Sequence, residues 1–211
     1  MSKPQIHHPL FARFYRHLAA GAEKAGAAEH RDELLAGLSG RVIEVGCGHG
    51  INFTHYPEAV TALVAVEPEA YLRGAAQEAA AKVPLSIEVI DGTADHLAMP
   101  DGSFDAGVAS LVLCSVPDQA AALAELHRVI RPGGELRFYE HVRATNPRRA
   151  SRQDRIQPLW SQLGGGCRPN CETEAAIVSA GFMVEDCRRF NFEPCFLAAL
   201  TAPIILGSAR R

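Results

Sequence analysis

The chain has 211 residues, of which 47% are hydrophobic and 21% charged, and a formal net charge of -3. This is an ordinary globular composition at a length that suits one catalytic domain with a sizeable core, and its acidic balance offers no field to gather nucleic acid. Six irregularly spaced cysteines do not resemble the disulfide framework of a small secreted domain, and no apolar run is long enough to span a bilayer. A reduced, cytoplasmic setting without a targeting segment is therefore expected. The local basic cluster of Arg143, Arg148, Arg149, Arg152 and Arg155 reads as a solvated helix face.

In chain order, Phe11, Phe14, Tyr15 and Leu18 recur at helical spacing, and the pattern runs to about Leu38 with breaks at Gly21 and Gly26. Residues 1–39 are expected to form a helical cap. From Gly40 the texture changes to short apolar runs closed by turn formers: RVIEV, TALVAV, LSIEVI, FDAGVAS and GELRFYEHV, read as five strands. Between them lie Ala-rich helical stretches, notably from Glu69 to Lys82 and from Asp118 to Ile130. The second starts at an Asp cap and stops before Pro132-Gly133-Gly134. Alternation of strand and helix implies an α/β, doubly wound parallel sheet covered on both faces. In the tail, GFMVEDCRRFNF and PIILGSA follow each other with only a loop and a short apolar stretch between, which suits an antiparallel edge. With no repeat or second boundary, one domain over 1–211 is expected, its core spanning 40–211.

The first strand runs into Glu44-Val45-Gly46-Cys47-Gly48-His49-Gly50, and a helix-compatible stretch starts near Ile51. Glycines at this point permit a tight turn and close backbone approach to a ligand. Their spacing is G-x-G-x-G, whereas the dinucleotide fingerprint is G-x-G-x-x-G, which argues against NAD. Glu67, at the end of the second strand and followed by Pro68, stands where an acid accepts the two hydroxyls of a ribose. Asp91-Gly92-Thr93-Ala94, after the third strand, stands where an acid and adjoining backbone read adenine. Glu44, Gly46, Cys47, Gly48, Gly50, Asn52, Glu67, Pro68, Asp91, Gly92, Thr93 and Ala94 are accordingly candidate cofactor residues.

These residues resemble class I S-adenosylmethionine-dependent methyltransferases with the E-x-G-x-G-x-G first motif. Phe104-Asp105 through Val116 resembles the family's fourth strand and following loop, adding Leu111 and Val112 to the cofactor residues. Ile130-Arg131-Pro132-Gly133-Gly134 is similar to the turn before its fifth strand. The resemblance implies a Rossmann-like, seven-stranded, mostly parallel sheet with an antiparallel last strand, and S-adenosyl-L-methionine as cofactor. The segments EVGCGHGINFTHYP, LVLCSV, GGELRFYEHV, Pro158-x-Trp160 with Gly166-Cys167, and the final PIILGSARR look most like the small thiol S-methyltransferases of the methyltransferase-like seven group. A small-molecule acceptor is thus expected, a thiol first and an O- or N-acceptor second. A non-catalytic cofactor-binding module is the rival from another class. A monomer or homodimer without nucleic-acid or membrane partners is expected. The N-terminal stretch is expected to form cap helices where the group has a hydrophobic membrane segment, and Cys171 stands where a basic residue is expected.

Methyl transfer needs alignment and exclusion of water rather than a protein nucleophile. His141, at the end of the fifth strand, is the candidate base, and Asp154 and Trp160 are candidates to orient or cover the acceptor. Cys47 and Cys114 read as small packing residues. Cys167 and Cys171 form C-x3-C with no third cysteine or histidine nearby in sequence, so no metal is expected; a loop disulfide or two free thiols remain.

Overall fold

The computed structural model describes residues 19–211; the cap pattern over residues 11–18 lies outside them. Five strands, β1 (Gly40–Val45), β2 (Val60–Val66), β3 (Ile87–Ile90), β4 (Phe104–Ser110) and β5 (Ile130–His141), run parallel in one seven-stranded sheet. The order is β3-β2-β1-β4-β5-β7-β6, and β7 (Pro203–Arg210) inserts antiparallel between β5 and β6 (Met183–Asn191). The two tail segments thus pair as expected. β6 runs in the direction of β5, and β7 then reverses the chain to lie antiparallel between them.

Helices α1 (Ala28–Leu35), α2 (Ala70–Ala80), α3 (Gln119–Val129), α4 (Pro147–Leu163) and α5 (Thr173–Ser179) flank the sheet. Residues 42–45 of β1 are buried without alternation, the mark of a strand covered on both faces. One face packs Ile43, Val64 and Phe138 with Leu123 and Leu126 of α3, and the other packs Val42, Leu63 and Tyr139 with Leu34 and Leu35 of α1 and Ala76 of α2. The helix starts are chemically marked. The carboxylates of Glu69 and Asp118 accept from the Leu72 and Ala121 amides at 2.8 and 3.0 Å, and Asn146 caps α4 ahead of Pro147.

Three expectations change. Gly21 continues helically, and the break comes at Gly26, whose φ of +112° interrupts the helix before α1. The stretch from Ile51 is a series of turns instead of a helix, with Gly50, Phe53 and His55 amides bonded three residues back to Cys47, Gly50 and Asn52. Asn52 turns its side chain inward here, and Pro57 lies close ahead, so no helical run is established. Finally, Pro132-Gly133-Gly134 bulges within β5 without ending it. Ile130 pairs with Phe104, and the next pair is Glu135 with Ala106.

Candidate functional site

A cavity of about 770 Å³ opens at the carboxyl ends of β1, β2, β4 and β5, at the switch point where the sheet order reverses between β1 and β4. Gly46, Gly48, Glu67, Pro68, Thr93, Ala94, Leu111, Val112 and His141 all line it, so most of the expected site converges. Gly46, Gly48 and Gly50 adopt left-handed φ values of +64°, +57° and +79°. The loop is pinned because the amides of Gly46 and Cys47 both donate to the Val66 carbonyl of the neighbouring strand.

Glu67 sits in the crook of this loop, only 5% exposed. Its carboxylate accepts from the amides of Gly48 at 2.8 Å and Glu69 at 2.9 Å. Burial pushes its pKa up to about 7, against the pull of those two bonds.

Glu44, Cys47, Gly50 and Asn52 do not line the cavity; they brace the loop from behind. The buried Glu44 carboxylate accepts from Asn52 Nδ2 at 2.6 Å and from the Tyr56 hydroxyl at 2.9 Å, and burial raises its pKa. Asn52 Oδ1 in turn accepts from Arg31 of α1 at 2.6 Å. Arg31 is buried, pairs with Glu23 at 2.8 Å, and lines the cavity, a contribution from the cap that the sequence reading missed.

Asp91 and Gly92 border a separate small recess, and the exposed Asp91 carboxylate pairs with Arg73 at 3.0 Å. Asp154 is likewise away from the cavity. Arg143 grips it through two bonds of 2.5 and 2.7 Å, holding its pKa down to about 2. A carboxylate with so little affinity for a proton is a poor base, so Asp154 joins α4 to the strand end instead of serving the acceptor. Trp160, by contrast, lines the cavity, with its indole N–H buried.

Two further groups escaped the sequence reading. Glu140, fully buried next to His141, accepts from the amides of Val112, Leu113 and Cys114 at 2.9, 2.8 and 3.1 Å. It thereby fixes the loop after β4, in which Leu111 takes a φ of +57°. Glu140→Ala would strand two buried amides and a third that is partly buried, each costing about 1 kcal/mol or more. The expected loss is about 3 kcal/mol of stability, read as a lower denaturant midpoint with an unchanged slope.

The second group lies around His141. Its Nδ1 is 3.7 Å from both Cys114 Sγ and Cys167 Sγ, and the two sulfurs are 3.9 Å apart. Cys167 does not bond Cys171; all six cysteines are free. The hydrogen bond between Cys167 and Cys114, assisted by His141, draws the Cys167 thiol well below its usual pKa, and the same bond raises that of Cys114. Burial works against charge on His141, yet Cys167 and then Glu140 outweigh it and raise the imidazole's pKa.

This sheet order, with a glycine loop at the end of β1 and an acid at the end of β2, defines the class of nucleotide-cofactor α/β enzymes. Within it, residues 43–138 match the family model described as a methyltransferase domain. Thiol S-methyltransferases TMT1B and TMT1A of Homo sapiens are each 35% identical over 154 residues, matching 70% of this chain and 63% of their own length. The match thus covers less than two thirds of those relatives. A solved Thermotoga maritima S-adenosylmethionine-dependent methyltransferase, described as a possible histamine N-methyltransferase, shares the fold with a TM-score of 0.70. It is 22% identical and covers 95% of this chain and 98% of its own. Over residues 43–138 the chain carries a methyltransferase domain of the class I S-adenosylmethionine-dependent kind, whose cofactor is S-adenosyl-L-methionine. Its site fits that group: left-handed glycines leave room for a ligand against bare backbone, and a buried carboxylate points beside them. Among the described residues, no helix is long and apolar enough to cross a membrane.

Proposed function

We propose that this protein transfers the methyl group of S-adenosyl-L-methionine to a small thiol, with residues 40–211 as catalytic core and the described residues 19–39 as part of its cap. The observation that carries this reading is the continuity of one cavity from Gly48 and Glu67 to Cys167, His141 and Trp160. A binding module with its acceptor pocket blocked would lack that second half. The thiol S-methyltransferase relatives support sulfur as the accepting atom over oxygen or nitrogen.

When bound, the cofactor supplies a methyl group already activated by a positive sulfonium. The chain's task is to hold the adenosyl portion, align the acceptor, keep out water and remove the acceptor's proton. Glu67 accepts the ribose hydroxyls, with the glycine loop against the sugar and Thr93, Ala94, Leu111 and Val112 around the base. At the β5 side, His141 lines the acceptor end of the cavity and is placed to take the thiol proton.

A panel of thiols, phenols and amines incubated with labelled methyl donor tests the reading. Thiols are expected to be labelled preferentially. Cofactor binding with no labelled thiol would overturn it.

Glu67 also predicts a pH dependence. Its folded pKa of about 7 lies above the unfolded value of about 4.3, so in the ligand-free protein its contribution to stability is lost as pH rises through that window. Ribose hydroxyls need the ionised acceptor, so S-adenosylhomocysteine affinity should rise with pH through about 7 and then level off. Calorimetry across pH 6 to about 8.5 checks this, and Glu67→Gln should flatten the profile.

A further inference from the structure

Cys114, His141 and Cys167 come from the loop after β4, the end of β5 and the turn after α4, and their three donor atoms all lie within 4.8 Å of one another. The separations are those of a coordination shell. A tetrahedral zinc ion with metal–sulfur and metal–nitrogen bonds of about 2.3 and about 2.05 Å sets its ligands about 3.8 Å apart for two sulfurs and about 3.6 Å for sulfur and nitrogen. The observed values are 3.9 Å for the sulfur pair and 3.7 Å for both sulfur–nitrogen pairs. A disulfide would need about 2.05 Å.

The shell is also held in place from outside. Glu140 ties down the amide of Cys114, and the Arg168 amide donates to the Cys114 carbonyl at 2.8 Å, joining the two cysteine segments directly. Cys114 is sealed from solvent, whereas His141 and Cys167 line the cavity. A metal at their centre is therefore closed on one side and open on the other. Three protein ligands with an open fourth position are the pattern of catalytic zinc, and a set of two cysteines and one histidine is one of its known forms. Two thiolates and a neutral imidazole neutralise the dication, so the buried site needs no further counter-charge.

We propose that Cys114, His141 and Cys167 form a zinc site whose fourth position faces the cavity and binds the acceptor sulfur as a thiolate. The fourth ligand rests on the thiol reading above; the other three rest on geometry alone. On coordination, the acceptor's S–H bond breaks, a zinc–sulfur bond forms and the proton passes to solvent. No electron transfer is involved. A lone pair of the coordinated sulfur forms the new bond to the methyl carbon as that carbon's bond to the sulfonium sulfur breaks, S-adenosylhomocysteine departs with the bonding pair, and the neutral thioether product is a weak ligand that can leave. In this loaded form the metal takes over from His141 the task of stripping the thiol proton. The cavity's mostly apolar lining, which includes Ala198 and Ile204, selects thiols with an apolar body.

The test uses the reduced full chain, stripped by a chelator and titrated with Co2+ and then Zn2+. One equivalent of cobalt is expected to bind with thiolate-to-cobalt absorption, to change its spectrum on addition of benzenethiol, and to be displaced by zinc. About two protons should be released per zinc ion, because both cysteines must ligate as thiolates. Cys114→Ser, Cys167→Ser and His141→Ala should each weaken zinc binding by at least about tenfold, while S-adenosylhomocysteine binding persists as the control for folding. Should a variant not fold, protection of Cys167 from alkylation by zinc in the native chain decides. No uptake at micromolar zinc, or equal uptake by all three variants, overturns the site. The two readings separate cleanly. Zinc uptake without methylation of any thiol retains the three-ligand site and removes the thiol reading. Thiol methylation by a protein that takes up no zinc does the reverse.

Discussion

Glu67→Ala is expected to weaken S-adenosylhomocysteine binding by at least about a hundredfold while leaving the cooperative unfolding transition in place. Glu67 is the buried carboxylate at the cavity wall between the glycine loop and α2, and its two amide bonds already aim it. Two ribose hydroxyls donating to an ionised acceptor are worth about 1.5 kcal/mol each or more, and about 2.7 kcal/mol is a hundredfold in affinity. The fold keeps its transition with a loss of about 1–2 kcal/mol, because Glu67 closes no core contact and only the amides of Gly48 and Glu69 lose their acceptor. Isothermal calorimetry with the product, beside a thermal scan, reads both quantities. An affinity within threefold of the parent would mean that the ribose is bound elsewhere.

Gly46→Ala is expected to be nearly as severe, for a steric reason. A Cβ at this position would lie 2.3 Å from Val112 Cγ2 and 2.9 Å from Val112 Cβ, on a backbone with φ of +64°. The residue can neither keep its left-handed turn cheaply nor move away, since its amide is held by the Val66 carbonyl at 2.8 Å. The expected result is loss of cofactor binding with a clear drop in melting temperature. Adding Val112→Ala should recover only part of it, because the smaller side chain relieves the contact and not the dihedral angle. Full recovery would show that backbone strain plays no part.

Much of the architecture was legible because it is written in local chemistry. The apolar runs of RVIEV and TALVAV, alternating with helical stretches, suit strands covered on both faces of a parallel sheet, and Asp118 and the Ala-rich run after it begin and build a helix without outside help. The glycine spacing and the acid after β2 were legible for a similar reason, since φ above zero and a carboxylate at a strand end are local demands. The turns after Gly50 were not, because the inward pull of Glu44 on Asn52 is a contact between two elements. Asp154 read as an acceptor-side residue until the structure set Arg143 against it.

The residues alone determined the fold class, the cofactor loop and Glu67, each set by periodicity, backbone freedom or strand position within a short window. Tertiary structure alone decided which acids face the cavity, made Glu140 the holder of the β4 loop, and drew Arg31 in from the cap. It also brought Cys114, His141 and Cys167 together across 53 residues of chain. Sequence distance says nothing about such a meeting. It is produced by the pairing of β4 with β5 and the return of α4 across the strand ends, which bring three unrelated positions to within hydrogen-bond range.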